Sequence, residues 1–151
     1  MERVIAGRPL VAGEASGPLL ASAEPLSFWG GYDAASGKII DRHHPLCGRV
    51  ASGCVLAVPS TRGSSTTTVV LLQAIRDGRA PAALLTQGVD TFLVLASIVA
   101  DEMYAKSIPV VALDALDFAA LGSASHARVH RDGRIVLSRG SAGKPAARLS
   151  R

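Results

Sequence analysis

Cysteine is nearly absent from this chain: Cys47 and Cys54 are the only two, and they form no Cys-x-x-Cys pair. A four-thiolate cluster is therefore excluded, and a disulfide framework has nothing to build on. Both side chains are expected to be free thiols in a reducing compartment. Aromatics are also scarce, at 4% of residues, so the core must come from Ala, Val, Leu and Ile; with 48% hydrophobic residues the composition is globular. Long hydrophobic runs are missing too. The stretch "TFLVLASIVADEMYA" turns charged after about ten apolar residues, too few to span a bilayer. The N-terminal "MERVIAGRPLVAGEASG" starts with an acid and lacks the apolar core of a secretory signal. A soluble, cytoplasmic protein is expected, with no membrane partner.

Acidic residues are absent from positions 139–151, which hold Arg139, Lys144, Arg148 and Arg151. The formal net charge of +4 sits in this tail, and the rest of the chain is about neutral. The tail reads as disordered, leaving residues 1–138 as a single domain, as the 151-residue length allows. Nucleic-acid binding requires a basic face on the fold together with stacking or groove-reading residues. The neutral body offers none, so no nucleic-acid partner is expected.

Gly and Pro divide what remains into elements. "RVIAG", "PLVAGEASG" and "PLLAS" are too short for helices and read as strands. "FWGGYDAASGKIIDRHHPLCG" is long and irregular, with "KIID" as its one short strand; such segments are functional or disordered, and Phe28-Trp29 argues against disorder. "GCVLAVP", "APAALLTQ" and "IPVVAL" have the pattern of buried parallel strands. Between them, "TTTVVLLQAIRDG" predicts a helix with Ser64 or Ser65 as N-cap and Gly78 as its stop. "DTFLVLASIVADEMYAK" predicts a second helix, capped by Asp90. "ARVHRDGRIVLSR" predicts a hairpin, with Asp132-Gly133 as a type I′ turn. The fold class is mixed α/β: a β-rich front, a small parallel sheet and two main helices.

The stretch "STRGSS" links a buried strand to a helix. A glycine loop in that place exposes backbone N–H groups at the positive end of the helix dipole, which favours carboxylate or phosphate. Arg62 adds a fork able to pair bidentately with either anion. No Walker A spacing is present, which argues against a nucleotide, and no nucleophile-elbow or Ser-His-Asp pattern points to a hydrolase. Two readings stay open on spacing alone: ordinary helix capping, or an anion site holding a reactive serine. His43 and His44 precede Pro45 in a polar loop, and Asp33 and Asp41 read as turn-forming aspartates.

"SFWGGYDAASGKIIDRHHPLCG", "SGCVLAVPSTRGSS", "APAALLT" and "ASIVADEMYAKSIPVV" resemble, in this order, the small subunit of the aconitase X family, over roughly residues 3–137. The resemblance implies an aconitase-like swivelling β/β/α domain that closes over an active site built mainly by an aconitase X large subunit, expected on a separate chain. It implies a hydro-lyase acting on a small hydroxy acid, inactive alone: a cis-3-hydroxy-L-proline dehydratase or, alternatively, a phosphomevalonate dehydratase. An iron or iron–sulfur centre is expected on the large subunit, with no metal or cofactor held by this chain. The family motif Gly-Arg/Lys-Gly-Ser is matched by Arg62-Gly63-Ser64, with Thr61 in place of its first glycine. The resemblance makes Ser64 the proton acceptor and Arg62, Gly63 and Ser65 substrate-binding residues. It also makes the loop with Gly30, Gly31, Asp33, His44 and Pro45 a lining of the inter-subunit cleft, and leaves Cys47 structural. A non-catalytic alternative is a swivelling binding or phospho-carrier module with His43 or His44 as acceptor.

Overall fold

The structure, a computed structural model, describes residues 2–63 and 66–139. Ser64 and Ser65, with the helix cap assigned to them, and the basic tail from Gly140 lie outside the described residues. Strands β1 (Glu2–Ala6), β2 (Arg8–Val11) and β3 (Ala15–Ala21) are followed by a hairpin of β4 (Tyr32–Asp33) and β5 (Lys38–Ile39). Then come β6 (Val55–Ala57), α1 (Thr66–Arg76), β7 (Ala83–Gln87), α2 (Thr91–Tyr104) and β8 (Val110–Leu113). Helix α3 (Ala115–Ala120), a 3-10 turn (Leu121–Ser123), β9 (His126–Val129) and β10 (Arg134–Ser138) complete the chain.

Eight strands form one sheet in the order β1-β10-β9-β3-β6-β7-β8-β2. Its two halves differ in kind, and β3 belongs to both. Residues Ala15–Pro18 pair antiparallel with β9, while Leu19–Ala21 pair parallel with β6. From there β6, β7 and β8 continue in parallel, each joined to the next by a helix. The expected parallel sheet is thus one half of a larger mixed sheet. Side-chain alternation splits the interior accordingly. Leu20, Leu56, Leu84 and Val110 face α1 and α2. Leu19, Val55, Leu85 and Val111 face the other way and meet Ile5, Ala127, Val129, Ile135 and Leu137 of the antiparallel half, with Phe118 of α3. Two β layers and one helical layer result, the β/β/α arrangement that the resemblance implied. Each fully buried Leu or Val in these clusters contributes about 1.5–3 kcal/mol.

Both main helices follow from their spacing. Helix α1 buries Thr67, Leu71, Ala74 and Ile75, and α2 buries Leu93, Ala96, Ser97 and Ala100, each a single stripe. Helix α1 stops where expected. The Gly78 N–H reaches the Ile75 carbonyl (3.2 Å) and the Arg79 N–H reaches that of Ala74 (2.8 Å), a Schellman closure with Gly78 at φ 72°. Asp90 caps α2 as expected.

The final hairpin forms, but its turn is not type I′. That type needs positive φ at both central residues; Gly133 has φ 95°, whereas Asp132 is not among the residues with positive φ. The Gly133 N–H donates to the His130 carbonyl (3.0 Å) and the His130 N–H to that of Arg134 (2.8 Å). This is a three-residue loop, a type I turn closed by a glycine bulge. Helix α3 had no counterpart among the expected elements. Cys47 and Cys54 are free thiols. Among the described residues no helix is long and apolar enough to cross a membrane.

Candidate functional site

The carboxyl ends of β6 and β7 both lead into helix starts, so the N-termini of α1 and α2 lie along one edge of the parallel strands. Open α/β sheets bind ligands at this edge. The Thr68 hydroxyl donates to the Phe92 carbonyl (3.2 Å), tying the first turn of α1 to that of α2. The segment Ser60–Gly63 runs along the same edge between β6 and α1.

Backbone pairing with Leu26 fixes the start of this segment: the Leu26 N–H donates to the Ser60 carbonyl (3.2 Å), and the Arg62 N–H to that of Leu26 (3.0 Å). Thr61 is held from the other side by Asp90, whose Oδ2 accepts from the Thr61 N–H and hydroxyl, both at 2.7 Å. Beyond this root Arg62 and Gly63 are exposed. Among the described residues the Arg62 guanidinium has no hydrogen-bond or ion-pair partner, which leaves its fork for an external anion. Gly63 takes φ 107°, and a Cβ on it would lie 3.8 Å from the Ser27 hydroxyl oxygen. Ser27 donates to the Trp29 carbonyl (2.9 Å), and Trp29 is 66% exposed, an unusual position for the only tryptophan. Ser27, Trp29 and exposed Gly30 therefore stand beside Arg62 and Gly63.

The other residues assigned to the cleft are distributed differently. Gly31 is buried, its carbonyl accepting from the Ile40 N–H (2.9 Å). Asp33 sits in the β4–β5 turn, where the Ser36 hydroxyl and the Ala35 N–H hold its carboxyl below the usual range. In that turn Gly37 packs on Ser52 and Arg79, which precede β6 and β7. Asp33 is thus at the opposite end of these strands from Arg62, and the structure does not bring the two together. His44 is buried and clasps two loops: Nδ1 accepts from the Leu46 N–H (3.1 Å), so Nε2 carries the proton and donates to the Glu24 carbonyl (3.2 Å). His43 and Pro45 are exposed, and the Asp41 carboxylate accepts from the His43 N–H (2.9 Å) in an Asx turn. Ser64 and Ser65 lie outside the described residues, directly after Gly63 in sequence. The reading of the sequence missed Asp90 and Thr61 as a pair. The capping pattern exposes Asp90, but nothing in local spacing announces a partner 29 residues away.

The arrangement can receive an anion at a helix start beside the exposed Arg62, on an exposed edge that another surface can cover. Among the described residues no three His, Cys, Asp or Glu side chains gather to hold a metal ion.

Comparison with known proteins adds to this geometry. A family model described as the aconitase X swivel domain matches residues 4–137. The chain is 48% identical over 136 residues to the cis-3-hydroxy-L-proline dehydratase of Pseudomonas aeruginosa, covering 90% of this chain and 23% of that protein. It thus spans under a quarter of that relative's length. It is 34% identical over 130 residues to the phosphomevalonate dehydratase small subunit of Thermococcus onnurineus, covering 86% of this chain and 94% of that one. Its backbone matches the crystal structure of Thermococcus kodakaraensis aconitase X (holo-form) with a TM-score of 0.77 at 28% identity, over 89% of this chain and 98% of the matched chain.

Proposed function

The chain belongs to the aconitase X swivel-domain family, and from that membership we propose that it is the swivelling part of a cytoplasmic hydro-lyase. In this reading it closes over an active site that a large aconitase X partner mainly builds, and it has no activity alone. The substrate is cis-3-hydroxy-L-proline, dehydrated to pyrroline-2-carboxylate; the 48% identity to the Pseudomonas aeruginosa enzyme supports this choice. The observation that carries the reading is the Ser60–Gly63 segment, rooted at the carboxyl edge of the parallel strands with the exposed Arg62 ahead of α1.

Dehydration takes a proton from one carbon and a hydroxyl from its neighbour, leaving a double bond between them. Ser64 is the proposed proton acceptor. A serine hydroxyl is far too weak an acid to act as a base in water at neutral pH. The positive end of α1 and the Arg62 guanidinium both favour negative charge developing on its oxygen. Enclosure by the partner strengthens both interactions by excluding water. Arg62, with Gly63 and Ser65, is proposed to hold the substrate carboxylate. An iron or iron–sulfur centre is proposed to belong to the partner.

Replacing Ser64 with Ala in the assembled enzyme should abolish dehydration while this chain and its partner still co-elute in gel filtration. Surviving activity would remove Ser64 from the role. Phosphomevalonate is the second substrate to assay, because the chain matches 94% of the length of the Thermococcus onnurineus small subunit. Turnover of phosphomevalonate alone would move the substrate assignment.

A further inference from the structure

Asp90 is buried, and each of its oxygens takes two donors. Oδ1 accepts the N–H groups of Phe92 (3.1 Å) and Leu93 (3.3 Å), which is what an N-cap of α2 requires. Oδ2 is not used by the helix. It accepts the Thr61 N–H and the Thr61 hydroxyl, both at 2.7 Å, on the residue immediately before Arg62. These bonds to an ionised oxygen are short and belong to the strong class. On its other flank the same root is paired with the backbone of Leu26. Thr61 is therefore gripped from both sides, and Arg62 and Gly63 project from a fixed point.

We propose that Asp90 is the positioning residue of the Arg62–Gly63 loop, and that the Thr61 hydroxyl, through Asp90, fixes where that loop meets the start of α1. Asp90 does not touch the reacting atoms. It acts by locking the loop to the N-terminus of α2, so that the two helix starts and the guanidinium keep one relative placement when the partner closes. The consequence for rate rests on the dehydratase reading above; the clasp itself does not.

Asp90→Asn separates the two roles. The amide oxygen still caps α2, since Asn caps as well as Asp, while the NH₂ that replaces Oδ2 cannot accept from Thr61. In the full chain, amide hydrogen exchange at Thr61 and Arg62 should quicken by at least about tenfold, with Phe92 and Leu93 still protected. In the assembled enzyme, kcat per assembled site should fall by about a hundredfold, the scale of a small misplacement of a reacting group. Thr61→Val should lower it by about tenfold, and Thr61→Ser, which keeps the hydroxyl, should retain wild-type turnover. Asp90→Asn combined with Thr61→Val should be no slower than Asp90→Asn alone, because the hydroxyl bond that Val removes is one of the two to Oδ2 that Asn has already broken. A purely structural Asp90 would reduce the amount of assembled enzyme, leave kcat per site unchanged and show no distinction between Val and Ser at position 61.

Unchanged exchange at Thr61 and Arg62 in Asp90→Asn would overturn the clasp. Faster exchange with undiminished kcat per site would overturn the positioning role. If Asp90→Asn does not fold, Asp90→Ser, whose one hydroxyl caps α2 and which has no second oxygen for the Thr61 N–H and hydroxyl, decides both points by the same two outcomes. A wild-type complex that dehydrates neither hydroxy acid would refute the dehydratase reading, and the exchange experiment would still decide the clasp.

Discussion

Replacing Tyr32 with Phe probes how the long segment between β3 and β6 is anchored. Tyr32 is 3% exposed; its ring stacks on Phe28 with centroids 5.0 Å apart, and its hydroxyl donates to the Arg79 carbonyl at 2.7 Å. Phe keeps the stack and removes only the hydroxyl, leaving one carbonyl short of a partner. The expected loss is about 1–2 kcal/mol, which in a domain of this size lowers the melting temperature by about 3–6 °C. A second, independent consequence concerns pH. Burial first, and then the nearby Cys54, push the Tyr32 hydroxyl well above its ordinary value of 10.0. The unfolded chain therefore gives up this proton at lower pH than the folded one. The stabilisation is complete below pH 10 and is lost as pH rises from there. Cys54 is also raised, by burial, and adds a fall common to both proteins. Urea unfolding of wild type and Tyr32→Phe from pH 7 to 11 tests both points. The wild type should lose its advantage over the variant above pH 10. Equal midpoints at pH 7, or a gap that persists unchanged to pH 11, would refute the reasoning.

Two glycines should respond differently to Ala, as read by urea midpoints. Gly78 has φ 72° with open space around an added Cβ, so Gly78→Ala should lose about 1 kcal/mol. Gly37 has φ 77°, and its Cβ would also lie 2.7 Å from the Arg79 carbonyl oxygen, so Gly37→Ala should lose about 3 kcal/mol or more. Ser97 is fully buried and bridges the carbonyl (2.7 Å) and N–H (2.9 Å) of Ile108; Ser97→Ala should lose about 2–3 kcal/mol by stranding both groups. Both ring nitrogens of His44 are engaged inside the fold, so incubation with phosphoenolpyruvate should leave no phosphate on His44. A gain of one phosphate on His43 or His44 would revive the carrier alternative.

Much of the helical layer was readable because its signals are local. The Asp90 cap, the Gly78 stop and the apolar stripes of α1 and α2 each lie within a few turns of chain. Other features depend on distant partners. Nothing within β3 reveals that its first half pairs with β9 and its second with β6. Helix α3 is six residues long, too short for a periodic pattern to stand out. Asp132-Gly133 announced a turn, but whether Asp132 takes positive φ is decided by how the strands meet. At the site, Arg62-Gly63 was legible from the strand–loop–helix order. The grip on Thr61 was not, since it joins two loops through one carboxylate. His44 looked like a polar loop residue because the Glu24 carbonyl that accepts its Nε2–H hydrogen bond is 20 residues away. Asp33 shares a motif with Gly30 in sequence yet is carried to the other end of the strands by the hairpin.

The central claim is that this chain completes a hydro-lyase site supplied mainly by another polypeptide surface. The direct measurement is formation of pyrroline-2-carboxylate from cis-3-hydroxy-L-proline, followed with this chain alone, the proposed aconitase X-type large partner alone, and the two combined. Product from the combination and from neither component alone is the predicted result. A partner that turns over the substrate equally well without this chain, or an assembled complex that forms no product, would contradict it.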